Sequence, residues 1–274
     1  MKYNLAFKYR IYPNKEQELL IKKTFGCVRF VYNTILYTAN KFYEETGKNK
    51  IITPASLKSE NQFLKEVDSL ALSNAQLNVK RSFTNFFQKR AKFPKFKSKK
   101  KSVKSYTTNC VNKSIRIEEN KYLVLPKLKR IKLKYHREIP KDYKIKSVTL
   151  TNSNGNYYVS ILTEFEKEIQ KVPSNDKIIG LDFSMSELFV SSENQRADYP
   201  RYFRMLEKKL KKLQKSLSRK VKFSKNWYKQ KAKISKLHEY IKNCRRDFLH
   251  KLSKKLSEEY NAVVVEDLNM KGMS

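Results

Sequence analysis

Two short runs decide how the second half of this chain folds: Lys177-Ile-Ile-Gly-Leu-Asp182 and, much later, Ala262-Val-Val-Val-Glu266. Each is an unbroken apolar stretch of strand length, and each ends on a carboxylate. Continuous runs of this kind read as buried strands rather than as one side of an amphipathic sheet. A carboxylate at the tip of a buried strand is costly unless something satisfies it. If the two strands are neighbours, their tips bring like charges together, an arrangement that a divalent cation relieves. Oxygen donors of this type suit Mg2+ or Mn2+, and such a site serves phosphodiester cleavage by metal-activated water. The residues by themselves leave a second reading open, in which Asp182 caps a turn and Glu266 caps the segment around Asn269.

Between these runs the pattern predicts a second strand, Glu187-Leu-Phe-Val-Ser-Ser192, then helices over about 200–220 and 226–259. In the longer helix Ile234, Leu237, Ile241, Phe248, Leu252 and Leu256 recur at spacings of three, four or seven, making one apolar seam. From Lys208 to Lys236 there are 13 basic residues and no acid, among them Lys208, Lys212, Arg219 and Lys222. That block fits phosphate contact or a solvated helical face with snorkelling lysines. The polar connector around Pro173 marks a domain boundary, dividing the chain into 1–172 and 173–274.

The first half opens on Tyr3-Asn-Leu-Ala-Phe-Lys-Tyr-Arg-Ile-Tyr12, an alternating strand closed by Pro13-Asn14. Asn14 can cap a helix through Leu19, Leu20, Phe25, Val28, Val31 and Ile35. Further helices are expected over about 54–67 and 73–90, the latter with Leu77, Val79, Phe83, Phe86 and Phe87 as its apolar face. Asn74, Gln76 and Lys80 on that helix are candidates for reading a duplex groove. Lys89 to Lys104 then holds nine basic residues and no acid, including Lys89, Arg90, Lys95 and Lys97. This run is a solvated loop or a phosphate-tracking element; Phe93 and Phe96 among the cations favour the second, since aromatic rings stack on unpaired bases. Short alternating runs from 102 to 165, with a hairpin turn at Asn152-Ser-Asn-Gly-Asn156, predict an antiparallel sheet or barrel. The N-terminal strand would complete it, with helices inserted at about 14–90. The fold class is therefore α+β.

Composition bounds the function. Among 274 residues, 61 are Lys or Arg and 26 are Asp or Glu, a net charge of +35. Such a surface calls for a polyanionic partner. An aromatic content of 12% argues against disorder. No run of 18 apolar residues exists and no secretory signal is visible, so no membrane association is expected. Cys27, Cys110 and Cys244 are scattered, with no CxxC pair, and suit a cytoplasmic location. His136, His238 and His250 stand far apart and suggest surface or packing roles. Trp227 and Tyr228 could stack on a base but more simply pack at a helix start. A general basic RNA-binding protein fits the charge equally well, although it would need no carboxylate pair.

The ordered set Ile179-Gly-Leu-Asp-Phe-Ser184, Tyr199-Pro-Arg-Tyr-Phe-Arg204, Phe248-Leu-His-Lys-Leu252 and Val263-Val-Val-Glu-Asp-Leu-Asn-Met-Lys-Gly-Met273 resembles the RuvC-like nuclease core of the TnpB (OrfB-type) insertion-sequence proteins, which are similar to type V CRISPR effectors. Tyr9-Arg-Ile-Tyr-Pro-Asn-Lys-Glu-Gln17 and Gly26-Cys-Val-Arg-Phe-Val-Tyr-Asn33 resemble that family's opening segment, often described as a helix-turn-helix. The resemblance implies a transposon-encoded, probable transposase that acts as an RNA-guided DNA endonuclease, with guide RNA and DNA as partners and a ribonuclease-H-like α/β domain over 173–274. It implies that Asp182 and Glu266 are two of three metal ligands. The family's third Asp, and a zinc element of two CxxC pairs before it, have no counterpart in these 274 residues. Adjacent Asp267 is expected to point away, because side chains alternate along a strand. The expectation is thus an incomplete nuclease domain that binds nucleic acid but cleaves weakly or not at all; the alternative is an RNA-guided DNA-binding repressor. The guide, the target-adjacent motif and the oligomeric state are not legible in the sequence.

Overall fold

In the computed structural model, residues 1–100, 103–168, 177–184, 186–197 and 199–268 are described. The chain divides into two compact units, Met1–Glu168 and Ile169–Ser274. The expected linker around Pro173 and the string from Asn269 to Met273 lie outside the described residues.

The first unit begins with strand β1 (Lys2–Tyr12), whose alternation places Phe7, Tyr9 and Ile11 inward. Helix α1 (Lys15–Thr46) starts in a capping box: Asn14 Oδ1 accepts from the Gln17 amide at 2.8 Å, and Gln17 Oε1 accepts from the Asn14 amide at 3.0 Å. It stops at Gly47, whose φ of 66° is the left-handed conformation that glycine adopts without a Cβ penalty. Ile21, Phe25, Val28, Val31, Tyr32, Ile35, Leu36 and Ala39 form its buried stripe. This 32-residue helix is continuous through Gly26, so Tyr9–Gln17 and Gly26–Asn33, which resemble the family's opening segment, form the end of a strand and part of one long helix. Gly26 lowers helix propensity by only about 1 kcal/mol, which the long buried stripe overrides.

The expected second helix is shorter, α2 (Pro54–Glu60), followed by a 3-10 turn at Gln62–Lys65. Helix α3 (Ser69–Phe87) begins earlier than its apolar pattern suggested, because Asp68 caps it through the Leu70 amide at 3.0 Å. Its buried residues are Ala71, Leu72, Ala75 and Val79. Leu77 and Phe87, assigned to the apolar face from sequence, lie outside that stripe and are exposed.

Strands β2 (Lys104–Asn109), β3 (Arg116–Glu118), β4 (Tyr122–Leu125), β5 (Lys129–Lys134), β6 (Lys144–Ser153) and β7 (Asn156–Glu166) join β1 in one antiparallel sheet, ordered β2-β6-β7-β1-β5-β4-β3. It is an open sheet with β2 and β3 at its edges. β1 is central, paired with β7 from Lys2↔Glu166 to Ile11↔Tyr157 and with β5 from Arg10 to Tyr12. The β6–β7 turn is the anticipated hairpin, with positive φ at Asn154 (49°) and Gly155 (83°). The helices inserted after β1 share one core with the sheet, in which Val148, Leu150, Val159, Ile161, Leu123 and Ile131 are completely buried. Burial of each such side chain stabilises the fold by about 1.5–3 kcal/mol.

In the second unit, β8 (Ile178–Phe183) pairs antiparallel with β9 (Phe189–Ser191) and parallel with β10 (Ala262–Val265), giving the order β10-β8-β9. Helices α4 (Tyr202–Ser218) and α5 (Lys225–Glu259) form an antiparallel hairpin connecting β9 to β10. Leu210, Leu237 and Ile241 make its buried centre, flanked by Tyr202, Leu206, Leu213 and Ile234. The expected burial of both runs is overturned: in β8 only Ile179 is buried, and Ile178 is 63% exposed. β10 is not buried: Val264 is 59% and Val265 65% exposed. Among the described residues it is the edge of a three-stranded sheet, paired on one side with β8. No described helix is long and apolar enough to cross a membrane.

Candidate nuclease site and nucleic-acid interface

The parallel pairing of β8 with β10 runs Ala262↔Ile178, Val263↔Ile179, Val264↔Gly180 and Val265↔Leu181. One further step in that register sets Glu266 beside Asp182. Neighbouring strands lie about 4.8 Å apart and side chains alternate between faces, so the two carboxylates share one face. Both line an open hollow with Gly180, Val190, Ser192 and Val264, and both border a second hollow at the strand ends with Phe183, Leu188 and Asp267. Asp182 and Glu266 are exposed, and so they escape the burial penalty that the sequence pattern implied. Among the described residues, no group of three His, Cys, Asp or Glu side chains converges to hold a metal.

Several residues that local patterns did not single out set this register. Ser192 binds Gly180 twice: its amide donates to the Gly180 carbonyl at 2.9 Å, and its hydroxyl accepts from the Gly180 amide at 3.1 Å. At the other end of β10, the Asn261 amide donates to the Lys177 carbonyl at 2.9 Å. The Tyr260 hydroxyl donates to Glu193 at 2.7 Å, which pushes its pKa up. Gln195 Nε2 also donates to Glu193, at 2.9 Å. Polar side chains near strand ends were the only sequence signal for this clasp, and they gave no hint of partners.

The candidate phosphate contacts fall into three groups. Lys208, Lys212 and Arg219 follow one another at three- and four-residue spacings, with Lys215 between, along the side of α4 and its C-cap away from Leu206, Leu210 and Leu213. None of the three has a carboxylate in ion-pair range among the described residues, whereas neighbouring Lys211 pairs with Glu207 at 2.8 Å. Lys222 lies in the turn to α5, its ammonium 5.6 Å from the Phe223 ring centre. In the first unit Lys89, Arg90 and Lys95 are exposed on the loop after α3. Lys97 is different. It turns back over Tyr32, 4.0 Å from the ring centre, and burial lowers its pKa. Its backbone is gripped by Asn33, which accepts from the Lys97 amide at 2.8 Å and donates to its carbonyl at 2.9 Å.

The three candidate groove readers on α3 are not equivalent. Lys80 is exposed. Asn74 Nδ2 already donates to the Leu70 carbonyl at 2.9 Å, and Gln76 Nε2 donates to the Ile52 carbonyl at 3.0 Å. These two amides brace the unit internally.

The second unit thus presents a three-stranded sheet with Asp182 and Glu266 at the ends of adjacent parallel strands, in a chain of net charge +35. A family described as "Probable transposase" (OrfB of the IS605 type) matches residues 160–274, and its helix-turn-helix domain matches residues 1–48. A protein of Escherichia coli strain K12, provisionally named the RNA-guided DNA endonuclease InsQ, is 36% identical over 283 residues, spanning 100% of this chain and 68% of that protein. A Streptomyces pristinaespiralis protein, also provisionally named an RNA-guided DNA endonuclease, is 34% identical over 279 residues, spanning 98% of this chain and 68% of its own length. The fold resembles a chain in the cryo-EM structure of the Cas12f1–sgRNA–target DNA complex, with a TM-score of 0.54 and 12% identity, over 97% of this chain and 81% of that one. The chain belongs to the TnpB (OrfB-type) family.

Proposed function

We propose that this protein is an RNA-guided DNA endonuclease dependent on a divalent cation, with Asp182 and Glu266 as two of the cation's ligands. The observation that carries the reading is the β8–β10 register, which brings two carboxylates distant in the sequence to one face at adjacent strand ends. Their accessible oxygen donors fit Mg2+ or Mn2+, and a hard cation held by two carboxylates retains several waters. Bound there, the ion would supply Lewis acidity and an activated water for in-line attack on a phosphodiester. The chain's own residues have separate tasks. The clasp of Tyr260, Glu193 and Gln195 holds the start of β10, and Ser192 holds β9 against Gly180, so the two carboxylates keep their register. Lys208, Lys212, Arg219 and Lys222 would neutralise the backbone of an RNA–DNA hybrid, which is recognised by charge and shape rather than by base identity. The unit Met1–Glu168, with Lys89, Arg90 and Lys95, would hold guide RNA and the duplex beside the target.

The test is cleavage of a supercoiled target by the protein loaded with its element-encoded guide RNA in Mg2+. Cutting that requires guide and cation and is lost in Asp182→Ala and Glu266→Ala supports the assignment. Cutting unaffected by both substitutions refutes it. Guide-dependent binding with no cutting under any cation assigns the protein to target binding, as a repressor would require.

A further inference from the structure

Helix α3 ends in a cluster of four phenylalanines. Phe83 stacks on Phe87 with centroids 6.4 Å apart; Phe86 meets Phe87 at 5.4 Å; Phe93, on the following loop, meets Phe86 edge-on at 5.2 Å and Phe83 at 6.0 Å. Phe83 packs against the core of the unit and anchors the cluster. The outer rings are open to solvent, Phe87 by 65% and Phe93 by 47%. Single exposed apolar side chains are ordinary, but a contiguous aromatic patch is a mark of an interaction surface.

Two further observations say what covers it. The chain around it is cationic: Lys89, Arg90, Lys92 and Lys95, all exposed, lie between and just beyond Phe87 and Phe93, and there is no acidic residue between Asp68 and Glu118. The loop bearing Phe93 is also fixed in advance. The Lys89 amide bonds the Phe86 carbonyl at 2.9 Å, and the Arg90 and Ala91 amides both bond the Asn85 carbonyl, at 2.8 and 3.2 Å. Asn33 grips Lys97 beyond it, and Pro94 between them is buried. An aromatic platform on a loop pinned at both ends and flanked in the chain by exposed cations matches the flat π-face of a base with its phosphate alongside. Within a duplex the bases are already stacked on one another, so apart from its terminal pairs it does not offer that face.

We propose that Phe87 and Phe93 stack on unpaired bases of a single-stranded nucleic-acid segment whose phosphates lie against Lys89, Arg90, Lys92 and Lys95. The inference deepens the nucleic-acid-binding part of the function proposed above and is independent of the carboxylate pair. The experiment measures, by fluorescence anisotropy with the full chain, affinities for oligo(dT), oligo(U) and a blunt mixed-sequence duplex of equal length. In Phe87→Ala/Phe93→Ala, affinity for the preferred single strand falls about tenfold or more, as loss of stacked bases requires, while duplex affinity stays within about twofold. Phe87→Trp/Phe93→Trp retains single-strand binding and Phe87→Leu/Phe93→Leu does not, which separates stacking from simple apolar contact. Ultraviolet cross-linking of the wild-type chain places adducts on Phe87 or Phe93. A preference for oligo(U) or oligo(dT) supports the proposal and names the strand type. Equal losses on single strand and duplex, unchanged affinity for both, or adducts only elsewhere overturn it. Loss of cleavage in Asp182→Ala leaves these affinities untouched, so the two proposals fail separately.

Discussion

Replacing Asp182 by Asn should stabilise the second unit when no divalent cation is present. The β8–β10 register puts Asp182 and Glu266 on one face of adjacent strands whose backbones lie about 5 Å apart. Two unit charges at that distance repel by roughly 0.8 kcal/mol in bulk water and about 3 kcal/mol at an effective dielectric of 20. Both groups are exposed, so the lower end applies, about 1 kcal/mol. In a unit of roughly 100 residues that corresponds to a rise in melting temperature of about 4–8 °C. Excess Mg2+ reverses the order: at 100 times its dissociation constant it stabilises the wild type by about 2.7 kcal/mol, and the Asn variant by much less. Trp227, the one tryptophan of the chain, lies in α5, so its fluorescence reports unfolding of this unit. Melts at low ionic strength, in chelator and in Mg2+, give all four midpoints, and added NaCl should shrink the chelator difference. A lower midpoint for Asp182→Asn in chelator, or an equal Mg2+ shift in both proteins, would refute the paired-carboxylate geometry.

In the first unit, buried Asp68 caps α3 at the Leu70 amide and accepts the Thr108 hydroxyl from β2. Asp68→Ala should cost about 2–4 kcal/mol in urea unfolding, the sum of a lost cap and a charged hydrogen bond, and an unchanged midpoint would contradict this role. On the α4 stripe, Lys208→Gln/Lys212→Gln/Arg219→Gln should flatten the plot of log affinity for duplex DNA against log salt by about 2–3 units, with little change in stability. Burial pushes the phenols of Tyr9 and Tyr157 up to about 12 from an ordinary value of 10.0, with Glu18 adding to the effect on Tyr157. Because the folded form holds these protons more tightly than the unfolded chain, stability is full below about pH 10 and falls as pH rises towards 12. Urea midpoints across that window, and tyrosinate absorbance lagging behind free tyrosine, test it; flat stability to pH 12 would contradict it.

The local sequence carried most of the elements. Alternation placed Phe7, Tyr9 and Ile11 inward, Asn14 and Gly47 bounded a 32-residue helix, and Asn154-Gly155 made the hairpin. It misjudged exposure wherever exposure depends on neighbours. Val263 to Val265 have the composition of a buried strand yet lie at a sheet edge, and Leu77 and Phe87 continue an apolar pattern beyond what the sheet covers. Asn74 and Gln76 look like free polar groups in sequence, but carbonyl partners at Leu70 and Ile52 engage them. Lys97 is one of nine similar cations until Tyr32 and Asn33 draw it inward.

Residue order alone specified chemistry and local form: a polycation, its helices and strands, and two apolar runs ending in Asp182 and Glu266. Folding in three dimensions settled that those runs pair in parallel with their ends level, the intervening helical hairpin carrying the chain from β9 at one edge of the sheet to β10 at the other. Periodicity records which side of a strand faces a neighbour, but not which neighbour; that choice depends on contacts between residues far apart in the chain, such as Tyr260 on Glu193 and Asn261 on Lys177.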